Sequence, residues 1–159
     1  MITQQKLQEK FDYKNGQLIW KVNQGTNKLT GKTAGSLNDE GYINIKVDGK
    51  MYKAHRLTYI YHHGDIPYKM EIDHVNGVKN DNRIENLRLA THGQNQQHAG
   101  MQANNTSGAK GVNQEGEKWR ARIMVDKVAV HLGRYDTIEE ASKAYKEAAK
   151  KLHGKFAKY

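Results

Sequence analysis

Residues 70–95 constrain the fold of this chain more than any other segment, because their local signals all belong to one small motif. An apolar strand carries the adjacent pair Asp73 and His74, and the turn dipeptide Asn76-Gly77 follows it. A second strand reads Asn-Leu-Arg-Leu, and a short helix that carries Asn95 comes next. The segment therefore predicts two strands and a helix that bring several polar side chains together.

The side chains of this segment suit the hydrolysis of a phosphodiester. The carboxylate of Asp73 and the amide oxygen of Asn95 are hard ligands of the kind that Mg²⁺ prefers, and Mn²⁺ is the second candidate. An imidazole ordinarily has a pKa of about 6.5, so that of His74 is suited to accept the proton of an attacking water near neutral pH. We therefore expect a divalent-metal site beside a general base.

The charge of the chain points to a polyanionic partner. Lys and Arg total 26 against 17 Asp and Glu, which gives a net charge of +9. Such an excess favours double-stranded DNA, although a basic and well-solvated globular protein is the plain alternative. The longest apolar runs are far shorter than the roughly 20 residues of a membrane span, and no leader pattern indicates secretion. The absence of cysteine excludes disulfides and cysteine zinc sites.

A composition change near residue 100 predicts two domains. Residues 100–106 are small and polar, without periodic apolar positions, as in a linker. The first domain is then residues 1–99 and the second is residues 107–159. Basic residues occur in both, so each domain is expected to touch DNA.

The first domain is predicted to begin with a helix and two hairpins. Thr3 caps a helix that runs to about Lys10, and Asn15-Gly16 and Asp48-Gly49 are two-residue hairpin turns. Residues 55–63 have apolar positions at helical spacing, and Gly64 ends that helix. The sequence thus predicts a mixed α+β domain before the motif at residues 70–95.

Three polar residues of the motif follow one another at a specific spacing. Asp73, Asn86 and Asn95 stand in register, and Thr91 and Gln94 form a capping box that places Asn95 in the first turn of the helix. This arrangement resembles the motif of phage-borne HNH homing endonucleases. The resemblance extends from residue 11 to residue 95 through a Gly-Tyr strand and an Ala-His-Arg-Leu helix. It implies a ββα-metal domain around one divalent ion.

The resemblance also implies roles for further residues. Asn86 would tie the catalytic loop together through its amide and help to orient His74, without binding the metal. The products would carry a 5′-phosphate and a 3′-hydroxyl. Three basic residues flank the site and are candidates for holding phosphates of the DNA: Lys79, Arg83 and Arg88.

The second domain has the pattern of a sheet followed by a helix. Residues 118–125 alternate, so that Trp119 and Ile123 point one way while Arg120 and Arg122 point the other. Residues 128–135 form a further strand, and the apolar stripe of the last helix is predicted at Ala141, Ala144, Tyr145, Ala148 and Leu152.

This pattern resembles the AP2 DNA-binding domain over residues 105–159. The resemblance implies a three-stranded antiparallel sheet that lies in the major groove, with one helix packed behind it. Plant members have arginine and tryptophan where Asn113 and His131 stand here, which leaves the base preference open. The candidates for contact with DNA are Lys110, Asn113, Lys118, Arg120, Arg122, His131 and Arg134.

The sequence therefore predicts an α+β homing endonuclease of HNH type that nicks one strand of DNA at a site recognised partly by an AP2-like domain. The alternative is a sequence-specific DNA-binding regulator with an inactive nuclease half. If the chain is phage-encoded, the expected location is the cytoplasm of a bacterial host. His98 is expected to be a solvated surface residue and His55 a packing or surface residue, although either is a candidate for assisting at the site.

Overall fold

The computed structural model describes residues 2–102 and 104–159. The chain forms two compact units, Met1–Ala90 and Thr91–Tyr159, here called unit 1 and unit 2. The boundary falls before the linker predicted at residues 100–106, one residue of which, 103, lies outside the described residues. The predicted domain limits at residues 1–99 and 107–159 stay predictions.

Unit 1 contains two hairpins, a central helix and the strands of the predicted motif. The elements in chain order are α1 (Gln4–Lys10), β1 (Phe11–Lys14), β2 (Gln17–Trp20), β3 (Ser36–Leu37), β4 (Ile43–Val47), β5 (Lys50–Lys53), α2 (Ala54–His63), β6 (Met70–His74), a 3₁₀ turn (Ile84–Asn86) and β7 (Leu87–Thr91). Strands β3, β4 and β5 form a three-stranded antiparallel sheet, β1 pairs antiparallel with β2, and β6 pairs with β7.

The helix ends and the hairpin turn predicted for unit 1 are confirmed. The Thr3 hydroxyl accepts a hydrogen bond from the backbone of Lys6, and Gly64 ends α2 with a positive φ of 85°. Asn15 and Gly16 have φ values of 47° and 82°, as a type I′ hairpin turn requires.

The hairpin β1–β2 supports the segment that precedes β7. The Tyr13 hydroxyl accepts a hydrogen bond from the backbone N–H of Ile84 at 2.9 Å. A Cβ on Gly16 would lie 2.8 Å from the backbone nitrogen of Arg83, so the turn approaches this segment too closely for any side chain. This packing positions the loop between β6 and β7.

The core of unit 1 lies between α1, α2 and the hairpin strands. Leu7, Phe11, Leu57 and Ile45 are almost completely buried there, and Ile72 connects β6 to the same cluster. The strand that carries Asp73 and His74 is therefore held by apolar packing on a rigid support.

Unit 2 consists of a short helix and a three-stranded antiparallel sheet packed on a long helix. The elements are α3 (His92–His98), β8 (Val112–Glu115), β9 (Lys118–Val125), β10 (Val128–Tyr135), α4 (Ile138–His153) and a final 3₁₀ turn (Gly154–Phe156). The strand order is β10-β9-β8, and Ala121 and Ile123 of β9 pack against Ala141, Tyr145 and Ala149 of α4. The predicted α+β class is confirmed, while the AP2 assignment of this unit stays a prediction.

The apolar stripe of α4 differs from its prediction at the C-terminal end. Leu152 is 44% exposed, whereas Ala149 and His153 are buried. The buried positions recur every four residues from Ala141. Because this interval is longer than one helical turn, the buried face shifts gradually around α4 and includes His153 at its C-terminal end. The His153 ring is retained there because its Nε2 bonds to the carbonyl oxygen of Met124 at 2.8 Å.

In residues 2–102 and 104–159, none of the helices combines the length and the apolar character needed to cross a membrane.

Candidate active site

The end of β6 presents two adjacent polar residues that are both buried. Asp73 and His74 are each 6% exposed, and Ile72 before them is buried as well. Because three consecutive residues are buried, both faces of this strand end are covered by the fold. Buried polar side chains need partners, and each of the two has its own.

Asn86 closes the loop that follows β6. Its amide oxygen accepts a hydrogen bond from the backbone N–H of Asn76 at 2.9 Å, and its Nδ2 donates to the Asn76 side chain at 3.0 Å and to the carbonyl of Asp81 at 2.7 Å. Its own carbonyl accepts from the N–H of Val75 at 2.8 Å. One buried amide thus connects both ends of the loop.

A second set of bonds stiffens the same loop through Asp81. Its carboxylate accepts from Asn76 Nδ2 at 2.7 Å and from two nitrogens of Arg83 at 2.9 and 2.7 Å. These hydrogen bonds, those from Arg83 above all, hold the pKa of Asp81 well below its usual range. The guanidinium of Arg83, a sequence candidate for phosphate binding, is half-exposed beside this loop.

The imidazole of His74 lies among a buried asparagine and two aromatic rings. Nε2 is 3.0 Å from Oδ1 of Asn82, which is 2% exposed. The ring of His55 meets His74 edge to face with centroids 5.0 Å apart, and the ring of Tyr42 is 6.2 Å from His74. Burial, followed by electrostatic repulsion from His74, Arg56 and Lys53, lowers the pKa of His55 to about 3. His55 is therefore a neutral neighbour of His74 near pH 7.

Asp73 is paired with Arg88 of β7. Nε of Arg88 donates to Oδ2 of Asp73 at 2.7 Å, and Nη2 lies 2.7 Å from the same oxygen. The side chains are only 7% and 16% exposed, so this pair is shielded from solvent. Arg88, another sequence candidate for phosphate binding, thus contacts the predicted metal ligand directly.

Lys79 lies close to the ring of Tyr42 at the edge of the site. Its Nζ donates to the carbonyl of Glu40 at 3.0 Å and lies 5.0 Å from the centroid of Tyr42. Lys53, which pairs with the Glu40 carboxylate at 3.0 Å, lies 4.5 Å from the same ring. Two cations therefore flank the ring that neighbours His74.

Asn95 lies in the middle of α3, which belongs to unit 2. The predicted capping box is confirmed, since the Thr91 hydroxyl accepts from the N–H of Gln94 and the Gln94 side chain accepts from the N–H of Thr91. His98, on the same helix, is only 9% exposed, so the expectation of a solvated surface residue is wrong. Asp73, His74 and Asn86 belong to unit 1, and the binding of one ion by Asp73 and Asn95 stays a prediction.

The donor set predicted for the metal fits a hard divalent cation. Asp73 offers a buried carboxylate at the end of a packed strand, and Asn95 offers an amide oxygen. In the parts of the chain that the structure describes, no three His, Cys, Asp or Glu side chains form a cluster that would hold a metal. If both were ligands, as the sequence predicts, the remaining positions would be filled by water and phosphate, which is usual for Mg²⁺.

The sheet of unit 2 holds several predicted DNA-binding residues in ion pairs. Glu115 lies 3.0 Å from Nη1 of Arg120 and 2.7 Å from Nε of Arg134. Lys118 pairs with Asp136 at 2.8 Å. Three of the candidate cations therefore already have a carboxylate partner, and much of the local charge of the sheet is compensated.

The other candidates on this unit divide into exposed and engaged side chains. Asn113, Arg122 and His131 are exposed, and Arg122 has no ion-pair partner within residues 2–102 and 104–159. Lys110 instead donates from Nζ to the carbonyls of Gln97, at 2.8 Å, and of Ala99. Burial, with a smaller effect of Lys158, lowers the pKa of Lys110. Its ammonium therefore binds the C-terminal end of α3.

Two residues beside the candidates carried no sequence signal. Asn82 stands in a polar stretch that reads as a turn, and nothing in the pattern indicates that it contacts His74. Glu115 precedes the Gly116 turn, and its pairing with two arginines depends on the register of the strands.

Comparison with known proteins gives the class of the chain. The HNH endonuclease family matches residues 52–97. Protein 3.8 of Escherichia phage T7 is 32% identical over 98 residues, which cover 60% of this chain and 80% of that protein. An HNH endonuclease of Acanthamoeba polyphaga mimivirus is 32% identical over 123 residues, which cover 76% of this chain and 63% of the relative. No solved structure matches the chain.

A third relative comes from a bacterial prophage. It is named as a putative HNH homing endonuclease of the SPbeta prophage of Bacillus subtilis (strain 168), and it is 37% identical over 59 residues, which cover 37% of this chain and 34% of the relative. The chain therefore carries an HNH endonuclease domain that includes residues 52–97. It is thus a nuclease enzyme with a DNA substrate, in a family that generally depends on divalent metal ions.

Proposed function

We propose that this chain is a metal-dependent homing endonuclease that nicks one strand of double-stranded DNA, with His74 as the general base. The observation that carries the proposal is the buried imidazole of His74 at the end of β6. It is adjacent in sequence to the carboxylate of Asp73 and precedes the loop that Asn86 closes. Hydrolysis of a phosphodiester needs a base that is neutral near pH 7 and fixed relative to the water that it deprotonates. The buried ring of His74 on a packed strand satisfies the requirement for a fixed position.

Asp73 and Asn95 are proposed to hold the divalent ion, which is Mg²⁺ or Mn²⁺. When bound, the ion supplies Lewis-acid stabilisation of the negative charge on the phosphate and on the leaving 3′-oxygen. Arg88 keeps the carboxylate of Asp73 in place through its two contacts to Oδ2. Asn86 keeps the loop closed, so that the end of β6 does not move away from the phosphate.

Cations near His74 are proposed to hold the DNA backbone. Lys79 and Arg83 lie on the loop between β6 and β7, and neither side chain is fully buried. In unit 2, the exposed face of an AP2-like sheet would contact the major groove, with Arg122 as the arginine most available for it. One catalytic histidine per chain supports the proposal of a nick that leaves a 5′-phosphate and a 3′-hydroxyl.

The test is a cleavage assay on supercoiled plasmid with Mg²⁺, with the wild type and His74→Ala. The wild type should convert supercoiled plasmid to open circles that DNA ligase reseals, and EDTA should stop the reaction. His74→Ala should cleave about 10² to 10⁴ times more slowly, the range for loss of general-base catalysis, and bind DNA as tightly as the wild type.

The control is His63→Gln, which changes an exposed histidine of α2. It should cleave at the wild-type rate. An undiminished rate for His74→Ala at saturating Mg²⁺ would show that another group is the base, and cleavage in EDTA would remove the metal from the proposal.

A further inference from the structure

The ring of His74 has one hydrogen-bond partner within the described residues, and that partner is Asn82. Nε2 of His74 lies 3.0 Å from Oδ1 of Asn82. The other ring nitrogen, Nδ1, has no hydrogen-bond partner among residues 2–102 and 104–159, and it is not one of the fully buried polar atoms that lack a partner. One edge of the ring thus contacts Asn82, and the nitrogen at the other edge is not completely shielded from solvent.

The identity of the partner atom determines where the ring carries its proton. A carbonyl oxygen accepts hydrogen bonds and cannot donate them, so the contact requires Nε2–H to donate to Oδ1 of Asn82. A neutral imidazole has one N–H, which leaves the basic lone pair on Nδ1. The contact therefore favours the tautomer that is able to take a proton at the open edge of the ring.

The environment of Asn82 holds its amide in this position. Its side chain is among the largest that are completely buried, and its backbone lies under the Gly16 turn, where a Cβ would meet the Asn82 carbonyl carbon at 3.0 Å. The Nδ2 atom of Asn82 is buried and has no hydrogen-bond partner within the described chain. An unsatisfied buried amide nitrogen is unfavourable for folding, so stability alone does not explain an asparagine here.

We infer that Asn82 is a positioning residue that selects the Nε2–H tautomer of His74 and so makes Nδ1 the proton acceptor of the cleavage reaction. The inference rests on the proposed role of His74 as the base. The family resemblance assigned the orientation of His74 to Asn86. The described side-chain hydrogen bonds of Asn86 go to the loop and not to the His74 ring, so its effect on the ring is indirect.

The direct test reads the tautomer in the full chain, without DNA and without metal. In protein labelled with ¹⁵N-histidine, two-bond correlation spectra distinguish a protonated ring nitrogen from an unprotonated one. The spectra are recorded well above the ordinary histidine pKa of about 6.5, and His74→Ala identifies the His74 signals. The wild type should have the proton on Nε2. Asn82→Asp, whose side-chain oxygens only accept, should keep it there, whereas Asn82→Leu should give a mixture of tautomers.

The kinetic test compares Asn82→Leu with Asn80→Leu. Asn80 is an exposed asparagine of the same loop, and its side chain makes no hydrogen bond within the described residues. Asn82→Leu should lower kcat about 10- to 100-fold, as is typical for loss of a group that orients a functional histidine, with little change in KM for DNA. Asn80→Leu should leave both unchanged.

The stability of the variant separates positioning from a structural role. Asn82→Leu removes the unpaired Nδ2 and leaves Nε2–H of His74 unpaired, so the number of unsatisfied buried groups stays the same. The midpoint of urea unfolding should therefore change little while kcat falls. If Asn82→Leu does not fold, the wild-type and Asn82→Asp spectra still decide the question.

Two results would overturn the inference: a wild-type His74 with its proton on Nδ1, or an Asn82→Leu variant with wild-type kcat. Failure of the proposed function is a different result, because it is an undiminished cleavage rate in His74→Ala, whatever tautomer His74 adopts.

Discussion

Adjacent residues of β6 have separate partners, and this separation gives them different chemistry. The carboxylate of Asp73 is bound by a cation, Arg88, while the ring of His74 is bound by a neutral amide and packed against the neutral ring of His55. The cation holds the carboxylate in place, and the amide fixes the orientation of the imidazole ring.

The buried ring of His55 predicts a loss of stability in mild acid. Its pKa is lowered to about 3 in the folded chain, mainly by burial, whereas an unfolded histidine has a pKa of about 6.5. Between these values the unfolded state binds a proton that the folded state excludes. Stability is therefore fully present above about pH 6.5 and falls as the pH is lowered toward 3. The free energy of unfolding of unit 1 should drop by about 2 kcal/mol between about pH 7 and about pH 5.

The measurement is urea unfolding followed by tryptophan fluorescence in a Trp119→Phe background, where Trp20 reports on unit 1 alone. His55→Phe should lose most of the drop and His63→Gln should keep it. Some dependence should remain in His55→Phe, because burial and the neighbouring His63 lower the pKa of His62 as well. A drop of unchanged size in His55→Phe would contradict this explanation.

The short helix α3 has stabilising contacts at both of its ends. It has seven residues, of which only His98 is buried, and a helix this short is not stable by itself in water. The capping box of Thr91 and Gln94 satisfies its N-terminal end, and Lys110 binds the carbonyls of its last turn. The helix that carries Asn95 is therefore held by contacts at its two ends.

We expect Lys110→Met to loosen α3 rather than to weaken an interaction with DNA. The variant removes the donor to the last carbonyls, so the amides of α3 should exchange with deuterium faster than in the wild type. Cleavage should slow, because Asn95 is less well positioned. The dependence of DNA affinity on salt should not change.

Lys127→Met is the matched control, since it removes an exposed lysine from the turn between β9 and β10. It should leave exchange in α3 at the wild-type rate. A Lys110→Met variant with unchanged exchange and a flatter salt slope would instead establish Lys110 as a phosphate contact, as the AP2 resemblance suggested.

At the scale of the whole molecule, the net charge of +9 comes from 26 basic side chains, several of which are held in surface ion pairs. Glu115 binds Arg120 and Arg134, and Asp81 binds Arg83, so several predicted DNA contacts already have a carboxylate partner. Contact with phosphate requires these arginines to exchange or share that partner. An exposed cation such as Arg122, without an ion pair among the described residues, carries no such cost.

The double variant Arg120→Ala/Arg122→Ala should reduce the slope of log affinity against log salt by about 0.9 for each DNA phosphate that the variant no longer neutralises. Both residues belong to the strand face of β9 opposite to the helix-packed Ala121 and Ile123. The substitutions should affect the choice of cleavage site more than turnover at saturating DNA. Binding is measured by salt titration on one duplex, and site choice by sequencing of the cleaved ends.

Lys143→Ala/Lys146→Ala is the charge-matched control, because it removes two exposed cations from α4 instead of the sheet. If both double variants change the slope equally, the sheet is no special DNA surface, and the AP2 resemblance describes a fold without its binding role.

Much of the architecture could be predicted because local signals and tertiary contacts agree. The Asn15-Gly16 turn, the Thr91 capping box and the Gly64 helix end each depend on residues close together in the chain, and each is confirmed. Predictions failed where a contact joins distant segments. Leu152 was placed in the core in place of His153, and His98 was expected in solvent.

The sequence by itself determined the chemistry available to this protein: an aspartate next to a histidine, two asparagines at the family's spacing, a capped helix and an excess of positive charge. These depend on residue type and near neighbours, which the order of residues specifies directly. Only the tertiary structure decided how the side chains are used. It placed Asn82 against one nitrogen of His74, Arg88 on Asp73 and Lys110 on the end of α3. The physical reason is that hydrogen bonds and ion pairs need atoms within about 3 Å, and chain folding alone determines which polar atoms come that close.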